Sequence, residues 1–184
     1  IYTGMTDTVK TSAEAPLTDE QQQAVSDAVS QLKQEFSDSG FAHLSALVSA
    51  KLAVEADDLD TAATELEWVL SNKPVATLAS LATLRLARVE AARGNVDTAL
   101  ALVEDADAGK MVSAYEEAKG DFHMSMGHYA AAYTAYQTAL DTEDSGNARL
   151  LSILRLKLSE AKPVEDSATE ENDALGSPKG FCGS

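Results

Sequence analysis

Residues 119–140 read KGDFHMSMGHYAAAYTAYQTAL, a stretch with two glycines seven positions apart and then a crowd of alanines. Alanine favours helix and glycine interrupts it, so the segment predicts one helix closing near Gly127 and a second opening at Tyr129. Its second half, GHYAAAYTAYQTAL (127–140), aligns without gaps with GNVDTALALVEDAD (94–107) and DDLDTAATELEWVL (57–70). Each copy opens with a turn pair and then an apolar residue: Leu59, Val96 or Tyr129. Ala62, Ala99 and Ala132 share one column, Leu66, Val103 and Tyr136 a second, and Val69, Ala106 and Ala139 a third. Gly94 and Gly127 fall in the turns, where a left-handed backbone is cheap for glycine. Gly120 sits instead inside the first helix of its copy, at a cost of about 1 kcal/mol relative to alanine. The matching positions upstream are Ala50 and Ala87. A small side chain in this column is expected to let the paired helix approach closely, with Ala132 as its small counterpart.

The copies begin at 57, 94 and 127, so they are offset by 37 and 33 residues. That is close to the roughly 34-residue period of tetratricopeptide repeats. Helical periodicity covers 41–56, 59–71, 75–93, 96–106, 111–126, 129–141 and 146–161, with very short breaks between paired runs. The prediction is an all-α, tetratricopeptide-like solenoid of helical hairpins with about three repeats. Glu90 and His123 depart from the pattern, which prefers an aromatic there, and no copy has its early tryptophan. Ahead of the repeats, Thr18 and Gln21 have capping-box spacing. Val25, Val29, Leu32 and Phe36 then predict an N-terminal helix ending by Gly40. Behind them, GNARLLSILRLKLSEA (146–161) places Leu150, Leu151, Leu154 and Leu158 on one apolar face, as a capping helix over the last repeat requires. The domain is thus expected over 18–161. Residues 1–17 read as a polar linker, and 162–184, rich in acids, Ser, Gly and Pro, as a flexible tail.

The formal net charge is −16. Such a surface repels nucleic acid and anionic headgroups, so neither is expected as a partner. The single cysteine, Cys182, cannot close an internal disulfide, and no apolar run approaches the roughly 18 residues of a membrane span. Because the chain opens on Ile1 rather than Met, it is expected to be part of a longer protein, with a signal or anchor upstream left open.

Nucleophile arrangements, phosphate loops and recognisable carboxylate pairs are missing, which predicts neither an enzyme nor a cofactor. His123 and His128 flank Gly127 at a spacing that does not put two metal ligands on one helical face, and His43 is remote in sequence. DDLD at 57–60 lacks the spacing of a calcium loop and reads as acidic residues at a helix start. What remains is a surface. In tetratricopeptide stacks the first helix of each pair lines a concave groove. Counting back from the turns gives Leu44, Leu47, Lys51, Val54, Leu81, Leu84, Arg88, Ala91, Asp121 and Met124. A mostly apolar groove with two cations suits an extended or helical peptide. The other outcome is that the helix over 18–37 fills it.

TLRLARVEAARGNVDTAL (83–100), AYEEAKGDFHMSMGHYAAAYTAY (114–136) and the closing LRLKL (154–158) resemble the periplasmic domain of the YfgM family. These are ancillary subunits of the bacterial SecYEG translocon, and the likeness spans roughly residues 20–160. The resemblance implies a single-pass inner-membrane protein with this domain in the periplasm. Its membrane contact would come only through an N-terminal anchor outside this sequence. Implied partners are SecYEG, the periplasmic chaperone PpiD and translocating or unfolded proteins, and the family has no catalytic residues to carry over. The tail after Lys162 extends beyond the family pattern. The runner-up is a general scaffold that assembles envelope complexes without touching client chains.

Overall fold

The computed structural model describes residues 18–162. The expected linker at 1–17, the acidic segment from 163 onward and Cys182 lie outside the described residues. Among the described residues the chain forms eight α-helices and no strand. These are α1 (Asp19–Glu35), α2 (Gly40–Glu55), α3 (Leu59–Ser71), α4 (Ala76–Ala92), α5 (Val96–Asp105), α6 (Val112–Ser125), α7 (Tyr129–Thr142) and α8 (Ala148–Glu160). None of them is long and apolar enough to cross a membrane.

Helix starts follow from local chemistry. Thr18 and Gln21 exchange side-chain and backbone hydrogen bonds in a capping box at α1. Ser39, Asp58 and Asn147 accept from backbone N–H groups at the starts of α2, α3 and α8. The three hairpins α2/α3, α4/α5 and α6/α7 close with one turn used three times. The N–H groups of Asp58, Asn95 and His128 donate back to the carbonyls of Ala53, Glu90 and His123. The N–H groups of Asp57, Gly94 and Gly127 donate to Val54, Ala91 and Met124. This is the Schellman pattern. Its left-handed residue has φ of 59° at Asp57, 90° at Gly94 and 75° at Gly127. The first copy therefore holds an aspartate where the others have glycine.

The hairpins stack in chain order, with α3 against α4 and α5 against α6, while α1 covers α2 and α8 covers α7. Three cores result. Leu47, Ala50, Ala62, Leu66, Val69 and Leu86 fill the first. Leu84, Ala87, Ala99, Val103, Tyr115 and Phe122 fill the second. Ala132, Tyr136 and Ala161, with Met124 and Leu158 against them, fill the last. All three alanines of the Ala62/Ala99/Ala132 column are fully buried.

Gly120 is buried as expected, and the side chain nearest to it across the seam is that of Tyr136. A Cβ at position 120 would collide with the edge of the Tyr136 ring, 2.8 Å from Cζ and closer still to Cδ1 and Cε1. The other two copies put Leu66 and Val103 in the Tyr136 column, in the same cores as Ala50 and Ala87 of the Gly120 column. In the third copy the first helix gives up a methyl group and the second gains an aromatic ring. Volume is conserved across the seam rather than at each position.

The N-terminal helix does not fill the expected groove. Val25 and Val29 of α1 pack on Val48 and Leu52, on another side of α2. Lys33 then reaches Glu65 at 2.8 Å and lies 4.8 Å from the centre of the Trp68 ring. His43 is buried, with its Nε2 3.0 Å from the carbonyl oxygen of Asn72. It ties the end of α3 to α2.

Candidate partner-binding groove

A cavity of about 430 Å³ opens between the C-terminal halves of α2 and α4. Helix α2 contributes Ala50, Lys51, Val54 and Glu55, and α4 contributes Arg85, Arg88, Val89 and Ala92. Leu59 and Leu66 of α3 close the floor. Ala50, Leu66 and Val89 are core residues that show one face to the cavity, and Val54 at the rim is 45% exposed. The lining is thus apolar, with cations on opposite walls.

Of the ten positions picked from sequence, Lys51, Val54 and Arg88 line this cavity. Leu47 and Leu84 are 3% and 2% exposed and belong to the first and second cores. They hold the hairpins together and face no groove. Leu44 and Leu81 pack against the first core, and Ala91 against the second. Asp121 and Met124 are taken up by the capping helix. Lys157 of α8 reaches Asp121 Oδ1 and Oδ2 at 2.7 and 2.8 Å and Glu117 at 2.7 Å. The Tyr136 hydroxyl donates to Asp121 at 2.8 Å, and Met124 packs beside Leu158. Of the expected first-helix positions, those that line the cavity therefore lie on α2 and α4.

Arg85 was missed. It lies three residues before Arg88 and four after Leu81, so the i, i+3 and i+4 rule places it on the same stripe as both. Reading α4 as 85, 88, 89 and 92 would have found the wall. Arg85 is half-buried, and among the described residues no carboxylate pairs with it. Burial holds its guanidinium below the usual value, and the neighbouring Arg88 charge adds to the effect. Lys51 and Glu55 pair at 3.4 Å along α2, with both side chains more than half exposed. Arg88 lies 3.7 Å from Glu117, beyond hydrogen-bond distance.

Around Lys157 the balance is different. Burial lowers its ammonium, but the hydrogen bonds that it donates to Asp121 and Glu117 outweigh that and raise it above its ordinary value. Burial raises the Tyr136 phenol strongly, and the Asp121 carboxylate that it faces raises it further. This cluster is a neutralised structural joint. Arg85 has no such partner among the described residues.

Nothing among the described residues gathers three His, Cys, Asp or Glu side chains around a possible metal. The His123 and His128 rings are neighbours, 5.9 Å apart between centroids, but no third donor joins them. Glu90, the residue standing at an aromatic position of the repeat, is buried with its two oxygens taken by Arg93 and Asn95.

A comparison with curated proteins finds no match. The family model described as Tetratricopeptide repeat-like domain matches residues 3–162, most of the chain. Three hairpins with one repeated turn, one repeated small-residue seam and a capping helix agree with that match. The chain belongs to the tetratricopeptide repeat-like domain family.

Proposed function

We propose that this domain is a non-enzymatic protein-binding module of the bacterial inner membrane, working on the periplasmic side beside the SecYEG translocon and the chaperone PpiD. The binding reading is carried by the cavity between α2 and α4, a space of about 430 Å³ with a mostly apolar lining. A helical solenoid acts by offering such surfaces to other chains. The translocon assignment is supported by the likeness of 83–100, 114–136 and 154–158 to the YfgM family. On this reading the domain meets translocating or unfolded chains as they emerge.

The test is site-specific photocrosslinking, with the reactive group placed at Val54 in the groove or at exposed Lys110 between α5 and α6. The partners are purified SecYEG, PpiD and an arrested translocating chain. Crosslinks from Val54 to these partners are the expected result, with little from Lys110. Crosslinks to SecYEG and PpiD from Lys110 alone would remove the groove and favour a scaffold that never touches clients. No crosslinks from either position would overturn the translocon assignment.

A further inference from the structure

We infer that an exposed stripe of the capping helix α8 pairs, antiparallel, with the same stripe of a second copy of this chain. The inference goes beyond the groove and does not depend on it. Leu154 of α8 and Ala161 just after it are buried. Arg149, Ile153, Leu156 and Glu160 are exposed, Leu156 by 61% and Ile153 by 38%. These four follow one another at steps of four, three and four residues, the spacing of a two-helix seam. A single exposed aliphatic residue needs no explanation. Two neighbours on one stripe, bracketed by a cation and an acid, form a pattern. Among the described residues neither Arg149 nor Glu160 holds an ion pair. They cannot pair with each other in one chain, because about 16 Å of helix separates them.

The two charges are set against their own helix. A helix favours acids at its N-terminal end and cations at its C-terminal end, yet Arg149 stands in the first turn of α8 and Glu160 is its last residue. That order fits a two-fold axis. Reversing the stripe end for end carries Arg149 onto Glu160 and Ile153 onto Leu156. Two copies of α8 running antiparallel are therefore complementary at all four positions, as a contact between identical surfaces demands. A parallel pairing would set arginine on arginine. Ser152 and Ser159 border the stripe, both exposed and uncharged, and let the helices close. Long-range charge favours the same approach. The chain carries −16 overall, so copies repel, but α8 holds Arg149, Arg155 and Lys157 against Glu160 alone. Three turns of helix make a small interface beside the roughly 1,200–2,000 Å² of a stable complex. The dimer is accordingly weak, with a dissociation constant on the order of 10–100 μM.

The test is sedimentation equilibrium of the full chain at about 0.15 M salt, carried to protein concentrations well above that constant. The parent should distribute between monomer and dimer. Arg149→Glu makes both ends of the stripe acidic, and Glu160→Arg makes both basic. Each alone should weaken association about tenfold or more, and Leu156→Ser by a similar factor. Mixing the two charge variants should restore a dimer, now of unlike chains, because every end again meets its opposite. The exchange within one chain, Arg149→Glu with Glu160→Arg, should restore it as well. Both substitutions improve the charges at the ends of α8, so thermal melts should not fall and lost association is not lost folding. Lys110→Glu should dimerise as the parent does. A parent that stays monomeric throughout overturns the inference, as do single charge variants that dimerise like the parent, or a mixture of them that stays monomeric. Association lost in Val54→Asp but kept in Arg149→Glu would place the contact at the cavity between α2 and α4, and overturn it too.

Discussion

At the scale of single residues, the Gly120–Tyr136 contact carries the most information. The two positions trade volume across the α6/α7 seam, and Tyr136 is further held by its hydrogen bond to Asp121. Gly120→Ala should therefore destabilise the fold by about 1–3 kcal/mol through overpacking. The sign is informative, because alanine on helix propensity alone would stabilise by about 1 kcal/mol. Combining it with Tyr136→Leu recreates the residue pair of the first copy, Ala50 and Leu66. The double variant should be more stable than the sum of the single effects, a coupling measured by urea denaturation of all four proteins. Additive effects would mean that the ring and the glycine do not share the space. The small-residue column was legible in the sequence because it recurs three times. The Tyr136 ring against Gly120 was not, because alignment of copies displays what they have in common. Compensation between two columns that both deviate in one copy appears only when the chain is folded.

At the scale of elements, the turns explain why the helix limits could be read so closely. A Schellman turn ties the last carbonyls of one helix to the first residues of the next, and its left-handed residue is visible as glycine in two copies. The first copy hides it behind Asp57, yet the neighbouring Asp58 still announces the start of α3. Asp58 accepts from the N–H of Thr61 at 3.0 Å, and the Thr61 side chain, followed by that backbone bond, lowers its carboxyl below the ordinary 3.8. A lowered folded-state pKa stabilises the fold fully above the ordinary value, and the contribution is lost as pH falls through the lowered one. Asparagine caps a helix about as well but does not titrate there. The melting temperatures of the parent and Asp58→Asn should therefore keep a constant difference above roughly pH 5 and shift in favour of the variant in stronger acid. A difference that stays constant down to the acid transition would show that the cap is not titrating.

At the scale of the whole molecule, the repeat order was legible while the open face was not. A helix shows its phase through one apolar stripe, but α2 and α4 are each packed on several sides and are apolar around most of their circumference. Buried residues of α4 include Ser80, Ala82, Thr83, Leu84, Leu86, Ala87, Val89 and Glu90, so periodicity could not say which stripe stays open. The capping helix is the second reason, since it claims Asp121 and Met124 from what looked like groove. Lys157 holds it there, one quarter of its side chain still exposed. Lys157→Met should cost about 1–2 kcal/mol, because Asp121 and Glu117 are left partly buried without their cation. Limited proteolysis should then cut within α8 before any other helix, and unchanged cleavage would place the hold on α8 elsewhere. The stacking order has a kinetic consequence too. Each helix makes its principal contacts with the helices on either side of it in the chain, so loop closures are short. Folding on the order of microseconds to milliseconds follows for chains of such local topology. A polypeptide emerging from its N-terminal end can settle α1 on α2 and then add one hairpin at a time, with no helix waiting for a distant strand of the chain. The last event is the arrival of α8, which closes an edge that has stood open since α7 formed.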